Sequence, residues 1–218
     1  VEGLAGVTRI AVARSHNLAL KADGRVMSWG ANSQGELGIG TRLTQWTPVE
    51  VIGLDHVVSI AAGSASMGYG VSAAVRDDGA VWMWGSNTSA QFGTGDGPLS
   101  PDDPGARQLL PVAVKGVAGV TSVSLGFGHA AALLRDGTLR MWGHDGWGQI
   151  GVGSSGAYQV RPMKVGSLSK VSAVYLGGAH SFAVRADGTL WIWGKSFVEN
   201  GPGLLGKNLH VPTRLDLN

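Results

Sequence analysis

Three histidines could move protons near neutral pH, and all three stand at one phase of a repeating pattern. His16, His129 and His180 each follow an apolar β-branched residue (Ile10, Val123, Val174) by six positions. A catalytic base is not normally copied once per repeat, so the recurrence predicts buried or half-buried imidazoles bridging backbone groups within each repeat. The carboxylates of Asp23-Gly24, Asp78-Gly79, Asp136-Gly137 and Asp187-Gly188 recur in the same way and read as turn chemistry. Unique polar groups are few. His144-Asp145 replaces the Ala31-Asn32 pair of the first repeat and could form a small acid–base couple, although adjacent loop residues more often point apart. The segment from Gly95 to Pro104 gathers Asp96, Asp102 and Asp103, but the spacing fits no standard calcium-binding loop and predicts a solvated surface loop. His56 and His210 have no evident partners. No nucleophile elbow, phosphate-binding glycine loop opening a helix, or zinc-ligand cluster occurs. The sequence makes no positive case for an enzyme, and it calls for no cofactor and no metal.

What must position these groups is a repeat. The order Asp-Gly, Trp-Gly, apolar-Gly, Pro returns four times, from Asp23 to Pro48, Asp78 to Pro111, Asp136 to Pro162 and Asp187 to Pro212. A period of roughly 50 residues with short strands and glycine-rich turns predicts propeller blades. Each copy offers four strands. The first are residues 7–12, 57–62, 120–125 and 171–176; the second are 16–21, 71–76, 129–135 and 180–185. The third are 25–29, 80–84, 138–142 and 189–193; the fourth open on Pro48, Pro111, Pro162 and Pro212. Asp-Gly between two alternating apolar runs predicts a hairpin with a type I′ turn. Trp82 with Trp84, and Trp191 with Trp193, share strand faces and should fill the space between stacked sheets. Proline at the start of the fourth strand suits an outer, edge position. The chain reads as one all-β domain over residues 1–218, with repeats at approximately 1–51, 52–114, 115–165 and 166–218.

The run Ser15-His16-Asn17-Leu18-Ala19-Leu20, then Asp23-Gly24, then Trp29-Gly30-Ala31-Asn32-Ser33-Gln34-Gly35-Glu36-Leu37-Gly38-Ile39-Gly40, resembles the regulator of chromosome condensation repeat family. The resemblance covers the whole chain. It implies a β-propeller of four-stranded antiparallel blades, in rings that usually hold about seven. The second repeat departs, with Val71 where the others have histidine, and the fourth is longer between Trp193 and Leu205. Blades shaped for such a ring do not close as four. The leading expectation is an open arc of a larger propeller, completed by additional blades from the same gene product. The alternatives are half of a homodimeric ring and a compact four-bladed ring. The opening on Val1 within a repeat predicts a processed or truncated piece of something longer.

Composition narrows the partners. Glycine at 36 of 218 residues fits many tight turns, because strands separate the glycines. A net charge of +2, with lysines and arginines scattered, gives no basic stripe for nucleic acid. No cysteine is present, which excludes disulfides and thiolate metal sites. No stretch approaches the roughly 18 apolar residues of a membrane span, and the opening residues do not read as a signal segment.

Length changes between repeats fall unevenly. The links from strand four to the next strand one, and the Asp-Gly hairpins, are uniform. Extra residues gather around Ala65 to Gly70, Gly93 to Pro111 and Phe197 to Gly203. In an up-and-down blade those variable connections open on one rim. Trp46, Tyr69, Trp147, Tyr158 and Phe197 match no recurring aromatic position and map to that rim. Aromatics on adaptable loops are typical anchors for a partner, so these five are the candidate partner-binding residues. The leading function is a non-enzymatic module or scaffold holding a protein or peptide ligand. The resemblance also suggests guanine-nucleotide exchange on a small GTPase, and the aromatics could instead stack on sugar rings in a glycan-binding surface protein.

Overall fold

Four Asp-Gly hairpins organise sixteen strands into four sheets, each of four antiparallel strands in chain order. In this computed structural model, described over residues 3–65, 68–97, 99–100, 102–103, 105–153, 156–195 and 208–215, blade 1 holds β1 (Val7–Val12), β2 (His16–Lys21), β3 (Val26–Gly30) and β4 (Gln45–Glu50). Blade 2 holds β5 (Val57–Ser64), β6 (Gly70–Arg76), β7 (Val81–Ser86) and β8 (Arg107–Ala113). Blade 3 holds β9 (Val120–Leu125), β10 (His129–Leu134), β11 (Leu139–His144) and β12 (Tyr158–Lys164). Blade 4 holds β13 (Val171–Leu176), β14 (His180–Arg185), β15 (Leu190–Gly194) and β16 (Leu209–Leu215). The fold is an all-β propeller arc. Among the described residues no helix is long and apolar enough to cross a membrane.

The hairpin turn differs from the type I′ expectation. Only its glycine takes positive φ (Gly24 +82°, Gly137 +78°), and the Gly24 amide donates to the Lys21 carbonyl at 3.0 Å. This is a three-residue loop with a left-handed glycine after an ordinary turn. The aspartates brace the turn from within. Asp23, Asp78, Asp136 and Asp187 each accept, through Oδ1, the amide two residues on, at 2.8–3.1 Å. Such turns hold the residue after the glycine in place for the next strand. A Cβ on Gly137 would meet the Cα of Lys170 at 2.9 Å. Gly137→Val therefore combines a disfavoured φ with a backbone clash. It is expected to cost roughly 2–4 kcal/mol in urea unfolding, and an unchanged midpoint would refute the assignment.

Prolines 48, 111, 162 and 212 lie inside the outer strands rather than at their starts, because these strands begin several residues earlier. They accompany a register shift opposite each blade tryptophan, as between Ser28 and Gly30 or Ile192 and Gly194. Proline is tolerated at such bulges because no ladder hydrogen bond is lost there.

Each blade grips the next by one repeated device. The tryptophan of the third strand is fully buried in blades 2, 3 and 4 (Trp84, Trp142, Trp193). Its Nε1 donates to a carbonyl in the preceding blade's third-to-fourth-strand loop: Trp84 to Glu36 at 2.8 Å, Trp142 to Gln91 at 2.6 Å, Trp193 to Gln149 at 2.8 Å. Leu37-Gly38, Phe92-Gly93 and Ile150-Gly151 shape that loop. A Cβ on Gly38, Gly93 or Gly151 would lie within 2.9 Å of the indole, so only glycine lets the loop close on it. The interblade cores follow, with Leu18, Leu20 and Val26 against Ala74 and Trp84 in the first of them.

Candidate functional site

Two of the three recurring histidines, His16 and His129, act between blades and not within one as the sequence suggested, whereas the ring of His180 meets Phe182 of its own strand edge-on at 5.3 Å. His16 Nε2 lies 2.9 Å from Ser72 Oγ, which donates to the Glu36 carbonyl at 2.8 Å; that carbonyl also receives Trp84. His129 Nε2, Ser181 Oγ and the Gln149 carbonyl repeat the arrangement at 3.2 and 2.8 Å. Because the hydroxyl hydrogen goes to the carbonyl, the imidazole must supply Nε2–H, which fixes the neutral tautomer. Burial lowers His16 to about 4 and His129 to about 3. Both rings are neutral at pH 7 and serve as latches. At the middle junction both partners are replaced, Val71 pairing with Gly85 where His16 pairs with Gly30, and Ala130 standing in the serine position. Losing both polar groups together leaves neither unsatisfied.

His144 and Asp145 do not form a couple. Asp145 accepts the Ile150 amide at 3.0 Å, as Asn32 accepts Leu37 and Asn87 accepts Phe92, so it caps the loop that grips the next indole. Burial raises its pKa. His144 Nδ1 faces Gln149 Nε2 at 2.7 Å, and burial lowers the pKa of its ring. In the acidic segment Asp96 accepts Thr94 Oγ1 at 2.7 Å and Asp103 accepts the Ser100 amide at 2.7 Å. Among the described residues no group of three His, Asp or Glu is placed to hold a metal ion.

The two-rim division holds in the structure. Amides at or just past the ends of the third strands bond carbonyls of the first-to-second-strand loops, Ala31 to Ser15, His144 to Gly128 and Lys195 to Ala179, each at 2.8 Å. The hairpin turns lie at the other end, where Val57, Val120 and Val171 amides bond Gly24, Gly79 and Gly137. Of the five aromatics, Trp147 lines a cleft on the variable rim together with His144, and the His144 ring meets Tyr158 edge-on at 5.3 Å. Trp147 is 41% exposed, with Lys195 Nζ 4.6 Å above its ring. Phe127, 45% exposed and overlooked in the sequence, faces the same cleft of about 90 Å³, which Ser89, His144, Trp147, Gln149, Gly178 and Ala179 also line. A signal was present: Phe127 stands where the first and last repeats have Arg14 and Gly178. Tyr69 lies apart, half-buried in the blade 2 loop. Phe197 falls outside the described residues.

Trp46 belongs elsewhere. It is the second residue of β4, 87% exposed. Its register counterparts Leu109 and His210 are covered by the preceding blade, where Gly35 and Gly148 press on them and Gly40 and Gly153 amides bond their carbonyls at 2.9 and 2.8 Å. Trp46 therefore faces along the arc, on the flank of blade 1, and not into the cleft.

A sequence model described as the Regulator of chromosome condensation (RCC1) repeat matches residues 23–67, 78–133 and 136–184; a second of the same description matches 7–36 and 120–149. The RCC1 domain-containing protein RUG3, mitochondrial, of Arabidopsis thaliana is 31% identical over 209 residues, covering 91% of this chain and 44% of that protein. The Arabidopsis ultraviolet-B receptor UVR8 is 29% identical, covering 86% and 41%. Among solved structures, Prp20p from Saccharomyces cerevisiae, whose binding to Gsp1p and histones has been described, superposes with a TM-score of 0.81 at 25% identity, over 97% of this chain and 50% of its own. Human WBSCR16 shares the fold at a TM-score of 0.80 and 22% identity, over 100% and 55%. This chain spans about half the length of these relatives, or less.

Proposed function

Since the chain belongs to the regulator of chromosome condensation (RCC1) repeat family, we propose that it is a non-enzymatic interaction module whose variable rim holds a protein or peptide partner. One observation carries this reading. Phe127 and Trp147, both only half-covered, face one cleft on the rim where the repeats differ, beside the Lys195 ammonium. The Gln149 side chain braces this wall, accepting the Trp147 amide at 2.9 Å and meeting His144. Rigid aromatic anchors next to a charge are the pattern of binding hot spots, and loops on a rigid scaffold are where recognition sits.

Photo-cross-linkers placed at position 147 and, on the uniform rim, at position 25 test it. Position 147 should capture a protein partner that position 25 does not. With that partner in hand, Trp147→Ala and Phe127→Ala should each weaken binding by about 1–3 kcal/mol. Arg25→Ala should leave it unchanged, since Arg25 is engaged with Asp23 and Glu50 at the solvated turn. Equal losses from both rims would remove the reading, and loss of folding with binding would make the aromatics loop plugs. The likeness to Prp20p, which binds Gsp1p, favours guanine-nucleotide exchange on a small GTPase as a second reading. Accelerated nucleotide release by this chain, abolished in Trp147→Ala, would establish it.

A further inference from the structure

Asn32, Asn87 and Asp145 cap equivalent loops, but the second atom of each side chain meets something different. In blade 1, Asn32 Nδ2 donates to the Thr41 and Leu43 carbonyls at 2.9 and 3.1 Å, so the loop's own backbone fills the space beside it. In blade 3, Asp145 Oδ2 accepts Gln159 Nε2 at 3.3 Å. Asn87 of blade 2 uses its Oδ1 on the Phe92 amide, and its Nδ2 meets no partner among the described residues although Asn87 is only 3% exposed. Gln108 stands opposite Gly85 as Gln159 stands opposite Gly143, yet its side-chain amide is likewise unpaired among the described residues. Chain length accounts for the difference. Gly85 and Gln108 lie 23 positions apart, where 15 separate Gly30 from Gln45 and 16 separate Gly143 from Gln159. The longer loop encloses a cavity of about 390 Å³ against β8, a size that suits a small organic ligand.

Asn87 and Gln108 both line that cavity, Phe92, Leu99 and Val112 give it apolar walls, and Asp96 stands among its loop residues. A buried amide without a partner is costly, and the cost is relieved when a polar group reaches it. Asp96 is exposed and accepts Thr94 Oγ1 through Oδ2, which leaves carboxylate oxygen facing the solvent side of the cavity. We propose that this cavity binds a small α-amino amide, its carboxamide paired with Asn87 and Gln108 and its ammonium set against Asp96. The ligand's carbonyl oxygen accepts from Asn87 Nδ2, as two backbone carbonyls do from Asn32 in blade 1. Its carboxamide N–H donates to Gln108 Oε1, and its apolar side chain rests against Leu99 and Val112. The Asp96 carboxylate favours a cation over a neutral acyl group at the same place. Binding here is independent of what the cleft at Phe127 and Trp147 holds.

Leucinamide, titrated into the whole chain to about 10 mM, tests this, since so small a ligand is expected to bind with a dissociation constant on the order of 1 mM. Amide NMR spectra should show the side-chain NH₂ signals of Asn87 and Gln108 moving together and saturating. Asn87→Asp removes the donor but keeps the acceptor for the Phe92 amide, and blade 3 already carries Asp145 at that position. It should keep the parent's circular dichroism spectrum and bind leucinamide roughly tenfold more weakly. Asp96→Asn, at an exposed position, should weaken leucinamide by a similar factor and leave N-acetyl-leucinamide, which lacks the ammonium, unaffected. Still signals at Asn87 and Gln108 would overturn the proposal. So would full affinity in Asn87→Asp, or N-acetyl-leucinamide binding the parent protein as tightly as leucinamide does.

Discussion

Trp142→Ala is expected to lower the free energy of unfolding by about 3–5 kcal/mol, the upper range for truncating a buried aromatic. The indole is fully buried at the junction of blades 2 and 3, among Val71, Met83 and Phe92 of one blade and Ala130 of the other. It also supplies the hydrogen bond to the Gln91 carbonyl. At this junction Ala130 replaces the serine that shares the same duty elsewhere, so truncation strips the carbonyl of its donor as well as opening a cavity. Trp84→Ala leaves the Glu36 carbonyl with Ser72 Oγ. Trp142→Ala should therefore exceed Trp84→Ala by about 1–2 kcal/mol, the penalty of an unsatisfied buried acceptor. Urea unfolding of the two variants decides this, and equal losses would mean that the serine latch carries no weight.

Acid should destabilise the protein from about pH 6.5 downward, because two buried imidazoles are held neutral. His16 and His129 have folded pKa values of about 4 and about 3 against 6.5 for the exposed ring. A ring held neutral by burial contributes stability that is intact above pH 6.5 and is lost as pH falls from there toward the folded value. Between pH 7 and pH 5 each ring accounts for a loss of about 2 kcal/mol. Glu36 works in the opposite sense, since burial raises its pKa and its protonation in acid relieves part of the cost. The steep fall thus belongs to the window from 6.5 downward. The middle junction supplies the control: His129→Val with Ser181→Ala copies the Val71 and Ala130 pair. That double variant should keep its stability at pH 7.5 and lose about half the dependence on pH between 7 and 5. An unaltered slope would show that burial of a neutral His129 is not what makes stability depend on pH in this range.

The hairpins and the blade count were readable because their cues are local. Asp136-Gly137 between two apolar runs means a turn whatever surrounds it, and Trp142-Gly143 recurs at a fixed distance from it. What stayed hidden depends on neighbouring blades. Nothing near His129 announces that its partner is Ser181, a residue in the next repeat. The missing serine at Ala130 becomes meaningful only beside Val71. Trp46 matched no recurring aromatic and so looked like a recognition residue; its position is recurrent, but filled by Leu109, Val160 and His210 elsewhere. Phe127 was passed over because it adjoins a strand, where apolar residues are ordinary. The turn type was misjudged because Asp-Gly serves two hairpin geometries, and the Asx bond of Asp23 to the Arg25 amide selects the three-residue one.

The clasp between each loop and the following indole also sets an order of assembly at the ribosome. The loop around Glu36 closes on Trp84, and that around Gln91 closes on Trp142, each a full repeat further along. At synthesis rates of about 5–20 residues per second, every loop waits several seconds for its indole. The newest blade on the nascent chain is thus always the unfinished one. A pause or a stop codon between two repeats strands an open loop and exposes the apolar flank behind it. Quality control would meet the same signal at every repeat boundary, however many blades had already been completed.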